Sequence, residues 1–289
     1  MKDINEFGLY LKERAYWTHD IITKSNWFRL GIMEETITDM HLFSIADKFN
    51  NNVLIKKFTR REEGAKSGAD WLWVIGEPGS WLPLLVQAKI INPKTGNCQY
   101  LDYKNGEQRK RLLYYARQNG FVPLYCIYSS IPSEFEPPEY FAQKGYVKED
   151  WACSFVSPRT VRLLSRLNIK NQHVILKYAI PWRGPFGLDS TCSTPYGKSI
   201  ATSIENIRDN SKIENKYRLN RRVSKTNENF LQTRIEWENL DAIKMVRKDI
   251  PKNICNLFKI RPFESNQIPI SNACIISSVP LEQIKELNI

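Results

Sequence analysis

Apolar and polar positions recur in recognisable periods over the first 180 residues. From Trp27 to Phe49 the spacing is helical, with Leu42, Ile45, Ala46 and Phe49 on one stripe. Strand-like runs follow at Val53 to Thr59 and at Asp70 to Ile75. A third apolar run, Leu82 to Ile91, is closed by the turn residues Asn92, Pro93 and Gly96. Gly106 to Asn119 reads as a helix, because Gly120 stands where a left-handed C-cap is expected. Phe121 to Tyr128 is the fourth strand. A mixed sheet covered by helices accommodates this order of helix, three strands, helix and strand, which places the chain in the α/β class.

Further along, Ser157 and Pro158 supply an N-cap and first turn for a helix reaching Leu167, and His173 to Ile180 reads as another strand. Pro181 to Ser199 contains Pro181, Gly184, Pro185, Gly187, Pro195 and Gly197, the composition of a loop or linker. Ala201 to Asn210 and Asn227 to Lys248 read as helices, the second stopped by Pro251. The expected organisation is an α/β domain over residues 1–180, a Pro/Gly-rich linker over 181–199 and a basic, mainly helical C-terminal region over 200–289.

Hydrophobic residues make up 42% of the 289, enough for a substantial core. The formal charge of +11 is concentrated late in the chain and favours a polyanionic partner such as nucleic acid. No apolar run approaches the roughly 18 residues of a membrane span, and the first residues lack a signal peptide's hydrophobic stretch; the expectation is a cytoplasmic protein without a membrane partner. The six cysteines are widely spaced with no CxxC pair, and there are only three histidines. Neither structural zinc nor a disulfide framework is expected, and the thiols read as reduced and mostly buried. Dinucleotide and P-loop fingerprints are missing, as is any evident Ser-His-Asp or Cys-His pairing.

Three positions carry candidate chemistry. Glu35 repeats at seven-residue spacing with Leu42 and Phe49, so a carboxylate points the same way as apolar residues; Glu34, about 100° away, is the other claimant. Asp70 follows Ser67, Gly68 and Ala69 and opens an apolar strand, where it is either a turn residue or a functional one. Gln87 and Lys89 sit at i and i+2 within an apolar run and so share a face. A buried ammonium is costly unless an anion meets it. Carboxylates beside a lysine suit Mg2+ or Mn2+, and together they suit phosphodiester hydrolysis.

Gly68-Ala69-Asp70 followed by Gln87-Ala88-Lys89, set in this order of elements, resembles the PD-(D/E)XK nuclease superfamily in the D…QxK form of Mrr-like restriction enzymes. The resemblance covers roughly residues 27–130. It implies a restriction-endonuclease-like αβββαβ core. It also implies that Asp70 is the principal metal ligand, that Gln87 replaces the usual second acid, and that the Ala88 carbonyl adds a ligand. Lys89 would serve the attacking water, and Glu35 would be the helix carboxylate, reaching the metal directly or through water.

Arg60, Arg61 and Lys66 precede Asp70, Arg109, Lys110 and Arg111 lie on the following helix, and Arg218, Arg221 and Arg222 stand near Tyr217. These are the expected phosphate contacts. The resulting expectation is a metal-dependent endonuclease acting on DNA, with RNA as the alternative substrate and a role in restriction or phage defence by analogy. A non-cleaving nucleic-acid-binding or assembly module on the same fold is the competing class. A homo-oligomer or a partner subunit is compatible with either.

Overall fold

β3 (Ser80–Ile90) organises the molecule: its eleven residues are buried apart from Ile90, which only a strand covered on both faces permits. In the computed structural model, which describes residues 4–49, 53–77, 79–187, 245–248 and 250, β3 lies inside a six-stranded sheet. The order is β1 (Val53–Lys57), β2 (Trp71–Glu77), β3, β4 (Val122–Tyr128), β5 (Cys153–Val156) and β6 (Ile180–Pro181). Neighbours are antiparallel except β3 and β4, which are parallel. That parallel pair needs a crossover, supplied by α4 (Tyr103–Asn119). The architecture is therefore α/β with an open mixed sheet.

Two helices, α1 (Ile4–Trp27) and α2 (Glu34–Phe49), cover one face. Thr38 of α2 donates to the Tyr128 hydroxyl at 3.2 Å, and Trp73, Trp182 and His41 pack ring on ring there. α4 and α6 (Pro158–Arg166) cover the other face. Gly120 is left-handed with φ 70° and caps α4, and Ser157 caps α6 by accepting from the Thr160 N–H, both as the sequence indicates. Shorter pieces complete the chain: α3 (Arg60–Glu62), α5 (Glu139–Ala142), α7 (Gln172–Lys177) and α8 (Gly184–Gly187).

Four sequence expectations are corrected. The helical stretch starting at Trp27 is two helices separated by residues 28–33, where Arg29 (φ 58°) and Gly31 (φ 67°) turn left-handed and break the hydrogen-bond ladder. α1 itself was not anticipated, although Phe7, Leu11, Ala15, Thr18 and Ile22 form a buried stripe at helical spacing. His173 to Ile180 is mostly α7. The Asn171 side chain accepts from the His173 N–H, and Gln172, Ile175 and Leu176 are buried at helical rather than alternating spacing. Finally, the helix expected over Asn227 to Lys248 does not include Arg247, which forms an antiparallel bridge with Trp81; residues 227–244 lie outside the described residues.

The rest of the proposed linker and C-terminal region, with Arg218, Arg221 and Arg222, lies outside the described residues. Cys98, Cys126 and Cys153 are buried free thiols. No helix among the described residues is long and apolar enough to cross a membrane.

Candidate active site

The antiparallel register of β2 on β3 pairs Trp71 with Val86, so Asp70 stands one step further, opposite Gln87. Its backbone is fixed on both sides: the Asp70 N–H donates to the Val86 carbonyl at 2.9 Å, and the Phe58 N–H donates to the Asp70 carbonyl at 2.7 Å. A π-helical turn (Glu63–Ser67) leads into it and ends at Gly68, with φ 62°. A Cβ on Gly68 would stand 2.5 Å from the Gln108 carbonyl oxygen and 2.7 Å from the Leu112 nitrogen. Only glycine satisfies both the left-handed backbone and this close approach to α4.

That approach connects four side chains in a directed chain. Gln108 Nε2 donates to Glu63 Oε1 at 2.7 Å and to Gln87 Oε1 at 2.9 Å. Gln87 Nε2 donates in turn to Asp70 Oδ2 at 2.6 Å and to the Ala88 carbonyl at 3.1 Å. The Ala88 N–H donates to the same Asp70 oxygen at 2.5 Å. An acid at one end fixes every amide: rotating Gln108 would set its oxygen against the Glu63 carboxylate, and Gln87 would follow. Gln87 and Gln108 are both buried, so this polarity is insulated from water.

Glu34, at the first turn of α2, reaches the end of β3, where its Oε2 accepts from the Ile90 N–H at 2.9 Å. Burial is the largest influence on both acids and raises them, Asp70 well above its ordinary value. Glu34 also raises Asp70, and Glu63 raises both. Lys89 opposes this by favouring their ionised forms. Lys89 is itself only 7% exposed and draws its compensation from these acids.

When ionised, the three carboxylates outnumber the ammonium by two charges. A hard dication fits that deficit. The donor set fits as well: Asp70 Oδ2 and the Ala88 carbonyl converge on one positive group, the Gln87 Nε2 donor, and two oxygens so placed suit a hard cation. No group of three His, Cys, Asp or Glu side chains spaced to enclose a metal occurs among the described residues. A dication here would rely on Asp70, the Ala88 carbonyl, Glu34 and water.

The sequence-selected residues divide clearly. Asp70, Gln87, Ala88 and Lys89 converge. Glu35 does not join them: it is exposed, and Arg60 binds both its oxygens, at 3.1 and 2.8 Å, holding its carboxyl below the ordinary value. Glu34 takes its place, and the reason is helical phase. The buried stripe of α2 runs from Ile37 through His41, Ile45, Thr38 and Phe49 to Leu42 and Ala46; Glu34 is in phase with its middle, and Glu35, about 100° further round, with its Leu42–Ala46 edge.

Arg60 is thus engaged with Glu35 at the surface, while Arg61 and Lys66 are exposed. Arg109 does not lie on an open helix face: it is 6% exposed and paired with Asp102 at 3.2 Å. Lys110 is exposed, and Arg111 stands 3.8 Å from Glu107. Glu63 and Gln108 were missed. Glu63 closes the run of charged residues that begins at Arg60, and Gln108 resembles any polar helix residue until the Gly68 contact brings α4 against β3.

No curated protein matches the chain. A family model does match residues 8–257, which include the whole of this site, and the chain belongs to that family, DUF6615, a family of unknown function.

Proposed function

We propose that the protein is a divalent-metal-dependent nuclease with a restriction-endonuclease-like core, hydrolysing phosphodiester bonds in DNA. The observation that supports this most is the junction at which the half-buried carboxylates of Asp70 and Glu34 meet the buried Lys89 and the neighbouring Glu63 adds its charge, at adjoining ends of β2, β3 and α2. Carboxylates are seldom gathered this way for stability, because each raises the cost of ionising the next.

A bound Mg2+ or Mn2+ would screen the phosphate charge and make a bound water more acidic. The protein's own groups act around it. Asp70 is held in one orientation by the Ala88 N–H and by the Gln87 amide, itself fixed through Gln108 and Glu63. Glu34 keeps its carboxylate at the end of β3, where the field of Lys89 favours its ionised form and allows it to accept a proton from an attacking water. The Lys89 ammonium stabilises negative charge developing on the phosphate. Exposed Arg61, Lys66 and Lys110 supply backbone contacts to the polyanion.

The test is incubation of supercoiled plasmid and linear DNA with Mg2+ or Mn2+, with EDTA as control, for the wild type, Asp70→Ala and Lys89→Ala. Metal-dependent nicking lost in both variants is the expected result. Cleavage that survives both would overturn the assignment. One observation favours a second reading, a module that binds without cutting: Gln87 is neutral and already donates to Asp70. Binding of DNA with no cleavage in either metal would select it.

A further inference from the structure

Two loops leave the acidic junction from the elements that build it. Residues 28–33 run directly into Glu34, and residues 91–102 leave β3 just past Lys89. Each loop, with the helix end it joins, carries a pair of exposed rings: Trp27 with Phe28, 82% and 64% exposed, and Tyr100 with Tyr103, 64% and 44% exposed. Each pair is followed at once by an exposed cation, Arg29 or Lys104. We infer that these rings stack on the unpaired bases of a DNA strand entering the junction, so that single-stranded DNA is the preferred substrate.

A defined backbone presents the rings. α1 ends in a Schellman arrangement, in which the Leu30 N–H donates to the Ser25 carbonyl at 3.0 Å and the Arg29 N–H to the Asn26 carbonyl at 3.1 Å. Arg29 takes the left-handed position, φ 58°, where glycine is usual, and Leu30, which in this motif ordinarily packs back on the helix, is 79% exposed. Lys104 is left-handed too, with φ 50°, and Asn105 and Gly106 continue the same turn. Side-chain-bearing residues hold such conformations at a cost, and here both sit where a ring and a cation reach solvent together. Tyr100 and Tyr103 meet edge to face with centroids 5.9 Å apart, and Lys104 Nζ lies 5.6 Å from the centre of the Tyr103 ring. The second loop is tied to the junction through Cys98, a buried thiol that is bonded by the Tyr100 backbone and feels the charges of Lys89 and Glu34.

Chemistry selects the occupant. An exposed ring beside a cation, repeated on both loops of the junction, matches a partner in which flat rings alternate with anionic charge, and a nucleic-acid strand has that pattern. A duplex hides the faces of its bases in the stack, so side chains on a protein surface stack only on bases that are unpaired or splayed apart. Of the acids beside the loops, Glu35 is bound by Arg60 and Asp102 by Arg109, which weakens their repulsion of a strand. The inference rests on the reading of the junction as a nucleic-acid site and narrows its substrate, but it concerns binding and does not require that the strand be cut.

The experiment measures binding in EDTA by fluorescence anisotropy, using a labelled single strand, its duplex, and an abasic strand of the same length. The wild type is expected to bind the single strand at least about tenfold more tightly than either of the others. The double variants Trp27→Ala/Phe28→Ala and Tyr100→Ala/Tyr103→Ala remove exposed rings and no core packing, so each should lose roughly tenfold or more on the single strand while changing little on the duplex and the abasic strand. Equal binding of single strand and duplex by the wild type would overturn the proposal. So would unchanged single-strand affinity in either double variant, or a loss shared equally by the abasic strand, which would make the loops phosphate contacts. Sedimentation forms the second arm: a wild-type dimer that becomes a monomer in a double variant with its strand affinity intact would make the rings a contact between two copies and overturn the proposal as well. A base-dependent preference without cleavage in Mg2+ or Mn2+ would sustain this inference and defeat the hydrolytic reading, whereas cleavage without the preference would do the reverse.

Discussion

At the scale of single residues, Asp70 sets function against stability. Its carboxyl titrates well above the ordinary range because burial and the neighbouring Glu34 and Glu63 penalise the charge. The folded chain then holds that proton longer than the unfolded chain does. Stability falls as pH rises through the unfolded value, and the penalty is complete above the folded one. Asp70→Asn keeps an acceptor for the Ala88 and Gln87 donors and removes the charge, so in EDTA at neutral pH it is expected to stabilise the protein by about 1 kcal/mol or more. The same variant should lose the thermal shift that Mg2+ or Mn2+ gives the wild type. A metal-free Asp70→Asn melting below the wild type would contradict this account. His41 shows the opposite sign. Buried between α1 and α2, its Nδ1 accepts from Arg14 Nε at 3.1 Å and its Nε2 lies 2.7 Å from Thr18 Oγ1, so the ring is held neutral and its value lies well below normal. Unfolded histidine takes up a proton below about pH 6.5, while the folded ring does not. Stability is fully present above that pH and is expected to decline below it, by up to one proton's worth of slope in denaturant titrations. His41→Gln should flatten that decline while lowering overall stability.

At the scale of elements, the site depends on how closely the turn before β2 meets α4. Gly68→Ala forces a Cβ into the Gln108 and Leu112 backbone and demands a left-handed alanine, so a loss of about 2–4 kcal/mol is expected from overpacking and strain together. Because that contact positions Gln108, the surviving folded fraction should also be a poor enzyme. Gln108→Leu separates the two effects: the volume is kept and the link from Glu63 to Gln87 is cut. Activity is expected to drop roughly 10–100-fold, as for other partners that orient metal ligands, with the KM for DNA unchanged. A changed KM with unchanged kcat would instead place Gln108 at the substrate. The same elements show what a one-dimensional reading reaches. The four main strands, α4 with its Gly120 cap and the pairing of Gln87 with Lys89 on one face follow from periodicity and turn chemistry. The sequence favoured Glu35 and kept Glu34 as the alternative, because a single seven-residue interval cannot distinguish the centre of a stripe from its edge. Glu63 and Gln108 stayed invisible because their importance comes from a contact 45 residues apart in sequence. β5 is four residues long, too short for alternation to register.

At the scale of the whole molecule, the question is whether the late chain folds with the sheet or apart from it. The sequence suggested a separate region beyond residue 199, yet Arg247 and Lys248 return to the β2–β3 hairpin. The Trp81 N–H donates to the Arg247 carbonyl at 2.7 Å, the Arg247 N–H donates back to Trp81 at 2.8 Å, and the Gly79 N–H donates to the Lys248 carbonyl at 3.0 Å. The Arg247 side chain also lies where a Cβ on Gly120, the cap of α4, would come within 2.8 Å. One short segment therefore touches both the hairpin and the helix that carries Gln108. Arg247→Pro tests this coupling without shortening the chain, since proline removes the N–H and leaves the Trp81 carbonyl unpaired. The expected cost is about 1–3 kcal/mol, which for a protein of this size corresponds to a melting shift of several degrees. If sheet and late segment form one cooperative unit, tryptophan fluorescence and far-ultraviolet circular dichroism will report the same lowered midpoint, because Trp71, Trp73 and Trp81 belong to the affected strands. Independent units would instead leave the tryptophan transition in place.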